Sequence, residues 1–199
     1  MFLRSGKYDY LVAGLGNPGP RYENTRHNVG FRAADRLLTL CEAKTSKKRF
    51  NAVTYDASLQ GKSLLVIKPE TFMNSSGEAV RAAARFYKIP PERIIVLCDD
   101  ISFTPGVIRV RKNGSDGGHN GLKSIIEQLG SSDFMRVRIG VGAKPQAFDD
   151  LADWVLSQFS DDENKALESS LENAANAVKS IVSGKIEDAM NRYNRKASS

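Results

Sequence analysis

Residues 12–19 read VAGLGNPG, directly after Tyr10-Leu11, and the reading of this stretch decides which kind of α/β domain the chain forms. Gly14, Gly16 and Gly19 satisfy G-x-G-x-x-G behind a strand-like run, the spacing of a dinucleotide-binding turn. In that turn the last glycine opens a helix whose free N–H groups meet a pyrophosphate. Here Gly19 is followed by PRYENTRHN (20–28), and apolar helical spacing resumes only near Val29. Pro18 also falls inside the turn and removes a backbone donor. No acidic residue marks the end of a second strand about 20 residues further on. The stretch reads better as a strand and a loop that delivers Asn17, Tyr22 and His27 to the strand's carboxyl end. Open α/β sheets place their sites there.

Working outward, strand-type and helix-type periods alternate. Tyr8–Gly14 is a strand, and Val29–Cys41 carries Phe31, Ala34, Leu37 and Leu38 at helical spacing. Ala52–Leu59 and Ser63–Ile67 alternate like a hairpin about Gln60-Gly61. Glu78–Tyr87 is a helix preceded by Asn74, Ser75 and Ser76, all capping types. Ile94–Cys98 is apolar throughout, as in a central strand. Val107–Arg111 and Met135–Val141 are strands and Leu122–Leu129 a helix, with helices again over Leu151–Leu156, Asp161–Val182 and Ile186–Tyr193. Neither a repeat nor a linker interrupts the 199 residues. The expectation is one domain, 1–199, of α/β class: three layers, α/β/α, around a twisted mixed sheet, since the hairpin forces some antiparallel pairing.

Composition narrows the function. Twenty-nine Lys+Arg against 23 Asp+Glu leave a net charge of +6, which favours polyanionic partners, chiefly nucleic acid. VIRVRK (107–112) and MRVR (135–138) place basic residues at alternate strand positions, whereas 149–172 is acid-rich. Arg109, Arg111, Lys112 and Arg138 are thus the candidates for phosphate contact, or else solvated charge on a strand edge. The N-terminus has no signal- or transit-type pattern and no segment approaches the roughly 20 apolar residues of a membrane span, so a cytoplasmic protein with no membrane association is expected. Cys41 and Cys98 lie far apart and fit a reducing compartment.

The chemically able residues gather in four loops: 17–28, 72–74, 98–100 and 113–121. Both histidines of the chain, His27 and His119, lie in them and each precedes an asparagine. His27 is the better general base, because imidazole titrates near working pH. Asp99, straight after the apolar strand, is the carboxylate that would hold it; otherwise Asp99-Asp100 is a turn pair. His119, inside GGHNG (117–121), reads first as a residue that shapes its loop, and otherwise as a candidate for substrate contact. Asn17, Asn74 and Asn120 offer neutral donors suited to an amide-bearing substrate or an oxyanion. A serine elbow and a phosphate loop are both missing, and two histidines without metal-ligand spacing argue against zinc. A His-activated water attacking a labile bond beside a basic surface is what remains.

GLGNPGPRYENTRHNVGF (14–31), KPETFMNSSGEAV (68–80), DDISFTPGVIRVRKNGSDGGHNGLKSI (99–125) and FMRVRIGVG (134–142) together resemble the bacterial-type peptidyl-tRNA hydrolases, in the order and spacing of that family. The resemblance implies hydrolysis of the ester between a peptide and the tRNA 3′ ribose, with peptidyl-tRNA as partner. It implies no cofactor, no metal, no protein partner and a monomer. His27 would deprotonate the water and Asp99 would orient it, with Asn74 and Asn120 positioning ester and water. Tyr22 and Phe72 would meet the tRNA 3′ end, Met73 would line the cleft, and Asn17 would read the peptide amide beside the ester. Where the family often carries lysines this chain has Arg109 and Arg111, and Ser115-Asp116 replaces glycine or histidine, so Asp116 could reshape tRNA contacts. The alternative reading is a relative that keeps the scaffold and binds structured RNA without turnover.

Overall fold

A computed structural model describes residues 6–43 and 45–195, so the reading of the first five residues lies outside the described ones. Seven strands form one sheet: β1 (Tyr10–Gly14), β2 (Ser46–Arg49), β3 (Ala52–Leu59), β4 (Lys62–Pro69), β5 (Ile94–Asp100), β6 (Ile108–Arg111) and β7 (Met135–Gly140). Their spatial order is β2-β3-β4-β1-β5-β7-β6. β1 runs parallel to β4 on one side and β5 on the other, and β5 is parallel to β7. The pairs β2–β3, β3–β4 and β6–β7 are antiparallel. Gln60 and Gly61 join β3 to β4 with φ of 52° and 72°, the left-handed pair a two-residue hairpin turn requires.

Among the described residues six helices cover the sheet: α1 (Val29–Leu40), α2 (Ser76–Tyr87), α3 (Asn120–Leu129), α4 (Leu151–Val155), α5 (Asp161–Val182) and α6 (Ile186–Tyr193). Alternate strand residues point to opposite faces. Val12, Leu97, Val137 and Ile139 therefore pack on Leu37 of α1, Leu171 and Val178 of α5, and Ala189 of α6. Leu11, Ala13, Ile67 and Val96 pack on Val80 and Ala83 of α2 and on Leu122 and Ile125 of α3. The result is the expected α/β domain with helices on both faces of a mixed sheet. The acid-rich α5 lies along α1, where Glu168 and Glu172 pair with Arg32 and Arg36.

The glycines of the opening stretch serve close packing. A Cβ on Gly14 would stand 2.5 Å from the Gly30 carbonyl oxygen, and one on Gly30 would stand 2.4 Å from that of Leu97. The start of α1 thus presses backbone to backbone on the ends of β1 and β5, and only Gly19, at φ 102°, needs the left-handed region.

Two local expectations change. Asn74, Ser75 and Ser76 do not cap α2; a 3-10 turn, Met73–Ser75, runs straight into the helix without a side-chain cap. That leaves the Asn74 amide uncommitted. β2, with sequence SKKR, is an additional edge strand. It has no alternating apolar residues because it lies at the sheet margin, exposed along most of its length.

Candidate active site

β1 occupies the switch point of the sheet, since the chain leaves it toward β4 on one side and returns to β5 on the other. The carboxyl ends of β1, β4 and β5 open there into a cleft of about 400 Å³. Asn17 follows β1, Phe72, Met73 and Asn74 follow β4, and Asp99 and Asp100 end β5. His27 comes from a 3-10 turn, Arg26–Asn28, ahead of α1, and His119 and Asn120 open α3. Four loops far apart in sequence meet because three parallel strands end side by side.

At the centre, Asp99 Oδ1 stands 2.8 Å from His27 Nδ1 and 2.8 Å from His119 Nε2. All three side chains are nearly enclosed, with relative exposures of 11%, 10% and 3% for His27, His119 and Asp99. The backbone N–H groups of Gly121 and Leu122 donate to His119 Nδ1 at 3.1 and 3.3 Å. That nitrogen must hold a lone pair, so the proton sits on Nε2 and is donated to Asp99. His119 is therefore more than a loop-shaping residue: it caps α3 with one nitrogen and holds the carboxylate with the other. His27 likewise donates from Nδ1, which leaves its Nε2 lone pair for the cleft.

Burial raises the Asp99 carboxyl, but the two imidazoles beside it outweigh burial and hold its pKa well below the usual 3.8. For His27 burial opposes the charged form, yet the Asp99 carboxylate prevails and raises its pKa above 6.5. The three groups also lie close enough to hold a cation. Their donor set does not suit one: a metal on His119 Nε2 would move its proton to Nδ1, against the N–H groups of Gly121 and Leu122. Cys98, one residue before Asp99, is fully buried in the apolar core, and burial pushes its thiol pKa far up, which keeps it inert.

Asn17 is fixed from three directions. Its N–H donates to Asn28 Oδ1 at 2.8 Å, its carbonyl accepts from Asn28 Nδ2 at 2.9 Å, and its Oδ1 accepts from the Met73 N–H at 2.8 Å. The side-chain oxygen already accepts one hydrogen bond, whereas the Nδ2 donor is uncommitted among the described residues and is the freer group for a substrate. Asn17 can accordingly grip a carbonyl oxygen through Nδ2. Asn74 and Asn120 are exposed and line the same cleft. Met73 is buried beneath it, and a Cβ on Gly121 would meet its sulfur at 2.6 Å. Phe72, 58% exposed, stands at the rim edge-on to Tyr22, 6.3 Å between ring centroids.

The basic residues divide. In the β6–β7 register Arg109 lies opposite Arg138 and Arg111 opposite Arg136, so four arginines share one face of the sheet. Arg138 lines the cleft and pairs through Nε with Asp100 Oδ2 at 2.9 Å. Arg111 is exposed, with one bond to the neighbouring Val110 carbonyl. Arg109 lies on the Phe103 ring at 4.8 Å and donates to the Tyr193 carbonyl at 2.8 Å, so it anchors the end of α6. Lys112 pairs with Glu187 of α6. Arg136 is buried on the backbone carbonyls of Ser132, Phe134 and Gly114 and ties the loop before His119 to β7. The Asp116 carboxylate accepts from the Gly118 N–H at 2.7 Å and so shapes that same loop.

Sequence reasoning missed the outer wall of the cleft, formed by Leu151, Ala152, Val155 and Leu156 of and after α4. Their spacing reads simply as a helix; that two leucines remain 41% and 37% exposed at a cleft mouth becomes visible only in the fold. It also missed Asp100 as the partner of Arg138.

A carboxylate-held histidine at the switch point of a mixed α/β sheet, flanked by amides and arginines, defines a class of proteins equipped for general-base chemistry on a polyanionic substrate. The chain belongs to the peptidyl-tRNA hydrolase family, whose model matches residues 11–199. It is 49% identical over 185 residues to the peptidyl-tRNA hydrolase of Caldanaerobacter subterraneus subsp. tengcongensis, covering 93% of this chain and 99% of that one. The enzyme of the same name from Caldicellulosiruptor saccharolyticus is 46% identical over 186 residues, covering 94% and 97%. The crystal structure of the Acinetobacter baumannii peptidyl-tRNA hydrolase superposes with a TM-score of 0.87 at 35% identity, over 93% of this chain and 94% of that one.

Proposed function

We propose that this chain hydrolyses the ester between a peptide and the 3′ ribose of tRNA, with water activated by His27. The observation that carries the reading is the 2.8 Å contact of His27 Nδ1 with Asp99, which turns the basic Nε2 into the cleft. His27 Nε2 takes a proton from water as the oxygen attacks the ester carbonyl, and Asp99 stabilises the imidazolium. The Nδ2 groups of Asn74 and Asn120 line the place where the tetrahedral oxyanion forms. Collapse returns the proton to the 3′ oxygen, releasing tRNA with a free hydroxyl and a peptide acid. Asn17 Nδ2 donates to the acyl carbonyl on the substrate's α-nitrogen, a group that aminoacyl-tRNA with a free amine lacks. On this reading the discrimination rests on a donor.

Phe72 and Tyr22 offer the 3′-terminal nucleoside an aromatic rim. Arg138 and Arg111 face the tRNA phosphates, and Arg109 and Lys112 support that surface by holding α6. The same reading takes the protein as a monomer acting in the cytoplasm. The test is release of tRNA from N-acetylated aminoacyl-tRNA. The unmutated protein should release it, and His27→Ala should be slower by about 10²–10⁴-fold. A chain that binds this substrate without releasing tRNA would overturn the proposal.

A further inference from the structure

Arg26, immediately before His27, is 4% exposed and points away from the cleft. Its Nε donates to Ser157 Oγ at 3.1 Å, and one terminal nitrogen donates to the Val141 carbonyl at 2.8 Å and Glu163 Oε1 at 2.9 Å. The other terminal nitrogen donates to Glu163 Oε2 at 2.8 Å. The guanidinium also lies 3.6 Å from the ring of Trp154 in α4 and 4.8 Å from that of Phe159. On the main chain, the Arg26 N–H donates to the Ser157 carbonyl, and Thr25 bridges to Gln158. One side chain thus touches the end of β7, α4, the segment after it and the start of α5. The wall residues Leu151, Val155 and Leu156 belong to the α4 segment that Arg26 grips from behind.

We infer that Arg26 is a positioning residue that couples the seat of His27 to the α4 wall of the cleft, so that loosening one displaces the other. A residue serving packing alone would be met by any apolar side chain of similar size. Here five donor–acceptor contacts, four from the side chain and one from the backbone, all leave a single residue adjacent to the proposed base. Glu163 is held in turn by the Ser160 capping box at the start of α5, so the latch is anchored to a 22-residue helix. The inference rests on the assignment of His27 as the base for its kinetic consequence, but the coupling itself has readouts independent of turnover.

Trp154 is the chain's only tryptophan, so its emission reports the α4 wall. The His27 Nδ1 proton, bonded to Asp99, reports the base by NMR. Glu163→Gln removes the charge partner of Arg26, and Arg26→Lys removes the fork. Both are measured well below the unfolding midpoint, with near-UV circular dichroism confirming the native fold. Each is expected to shift Trp154 emission to the red, broaden the His27 proton by exchange with water, lower kcat several-fold and raise KM several-fold. If Arg26→Lys fails to fold, Glu163→Gln and Ser157→Ala carry the test. A red shift with the His27 proton and kcat unchanged would overturn the coupling, and so would no change in either reporter. Absence of turnover by the unmutated chain would instead strike the proposed function, leaving the two spectroscopic readouts to decide the coupling.

Discussion

At the scale of single residues, the shared Asp99 oxygen has a consequence for pH. In the proposed reaction His27 acts uncharged, and its pKa stands above 6.5 because the carboxylate outweighs burial. The rate should therefore rise with pH through a midpoint above 6.5. Asp99→Asn leaves burial without the compensating charge, so that midpoint should move below 6.5 while kcat falls. A pH–rate profile whose midpoint stays put would show that Asp99 does not set it. For stability the signs differ. The depressed Asp99 contributes above 3.8 and loses its contribution as pH falls through its folded value. The raised His27 contributes below 6.5 and loses its contribution as pH rises through its folded value. Urea unfolding should accordingly show the pair's contribution at its largest between 3.8 and 6.5, and Asp99→Asn should flatten it. Asn17→Asp keeps the acceptor for Met73 but removes the donor, and should lower kcat/KM on N-acetylated aminoacyl-tRNA by about 10-fold or more, as the loss of one such bond costs ~1–3 kcal/mol. Unchanged kinetics would remove Asn17 from substrate recognition. His27, Asp99 and the three asparagines could be picked out from their loop positions. The second bond to Asp99 could not, because nothing in GGHNG says that the ring of His119 turns back toward residue 99.

At the scale of elements, hydrophobic period placed every helix and all strands but one within a few residues. Apolar burial is a local pattern, and α5, with Leu167, Leu171, Ala174 and Val178 buried on one face, declares itself. β2 did not, since an exposed edge strand owes its form to pairing with β3. Element contacts make a sharper prediction for glycine. Gly30→Ala would drive a Cβ onto the Leu97 and Leu15 carbonyls at 2.4 and 2.5 Å, backbone atoms with little room to yield. Urea unfolding should register a loss of about 1–3 kcal/mol, with the start of α1 and His27 displaced together. Full stability in Gly30→Ala would mean that α1 can lift off β1 at no cost.

At the scale of the whole molecule, the +6 charge is not spread evenly over interchangeable side chains. Acidic residues of α5 and α6 engage Arg32, Arg36 and Lys112, and Asp100 engages Arg138 at the cleft, so in the proposed tRNA contact Arg111 is the less engaged cation and Arg138 acts beside its carboxylate. Arg111→Ala and Arg138→Ala should each lower the salt slope of tRNA binding by about 1. Arg109→Ala should leave that slope unchanged and lower stability, because its guanidinium is spent on Phe103 and Tyr193. Equal slopes for all three variants would contradict this division, and fluorescence titration across a salt series would show it. The sequence by itself determined the α/β alternation, the basic balance, the loops that carry chemistry and the rejection of a dinucleotide turn, all of which depend on composition and short-range spacing. Only the tertiary structure decided which cations are paired, which nitrogen of His119 carries its proton, that Asn17 Oδ1 already holds the Met73 N–H, and that α4 walls the cleft. Those depend on partners tens to more than a hundred residues away, which meet only when parallel strands end side by side.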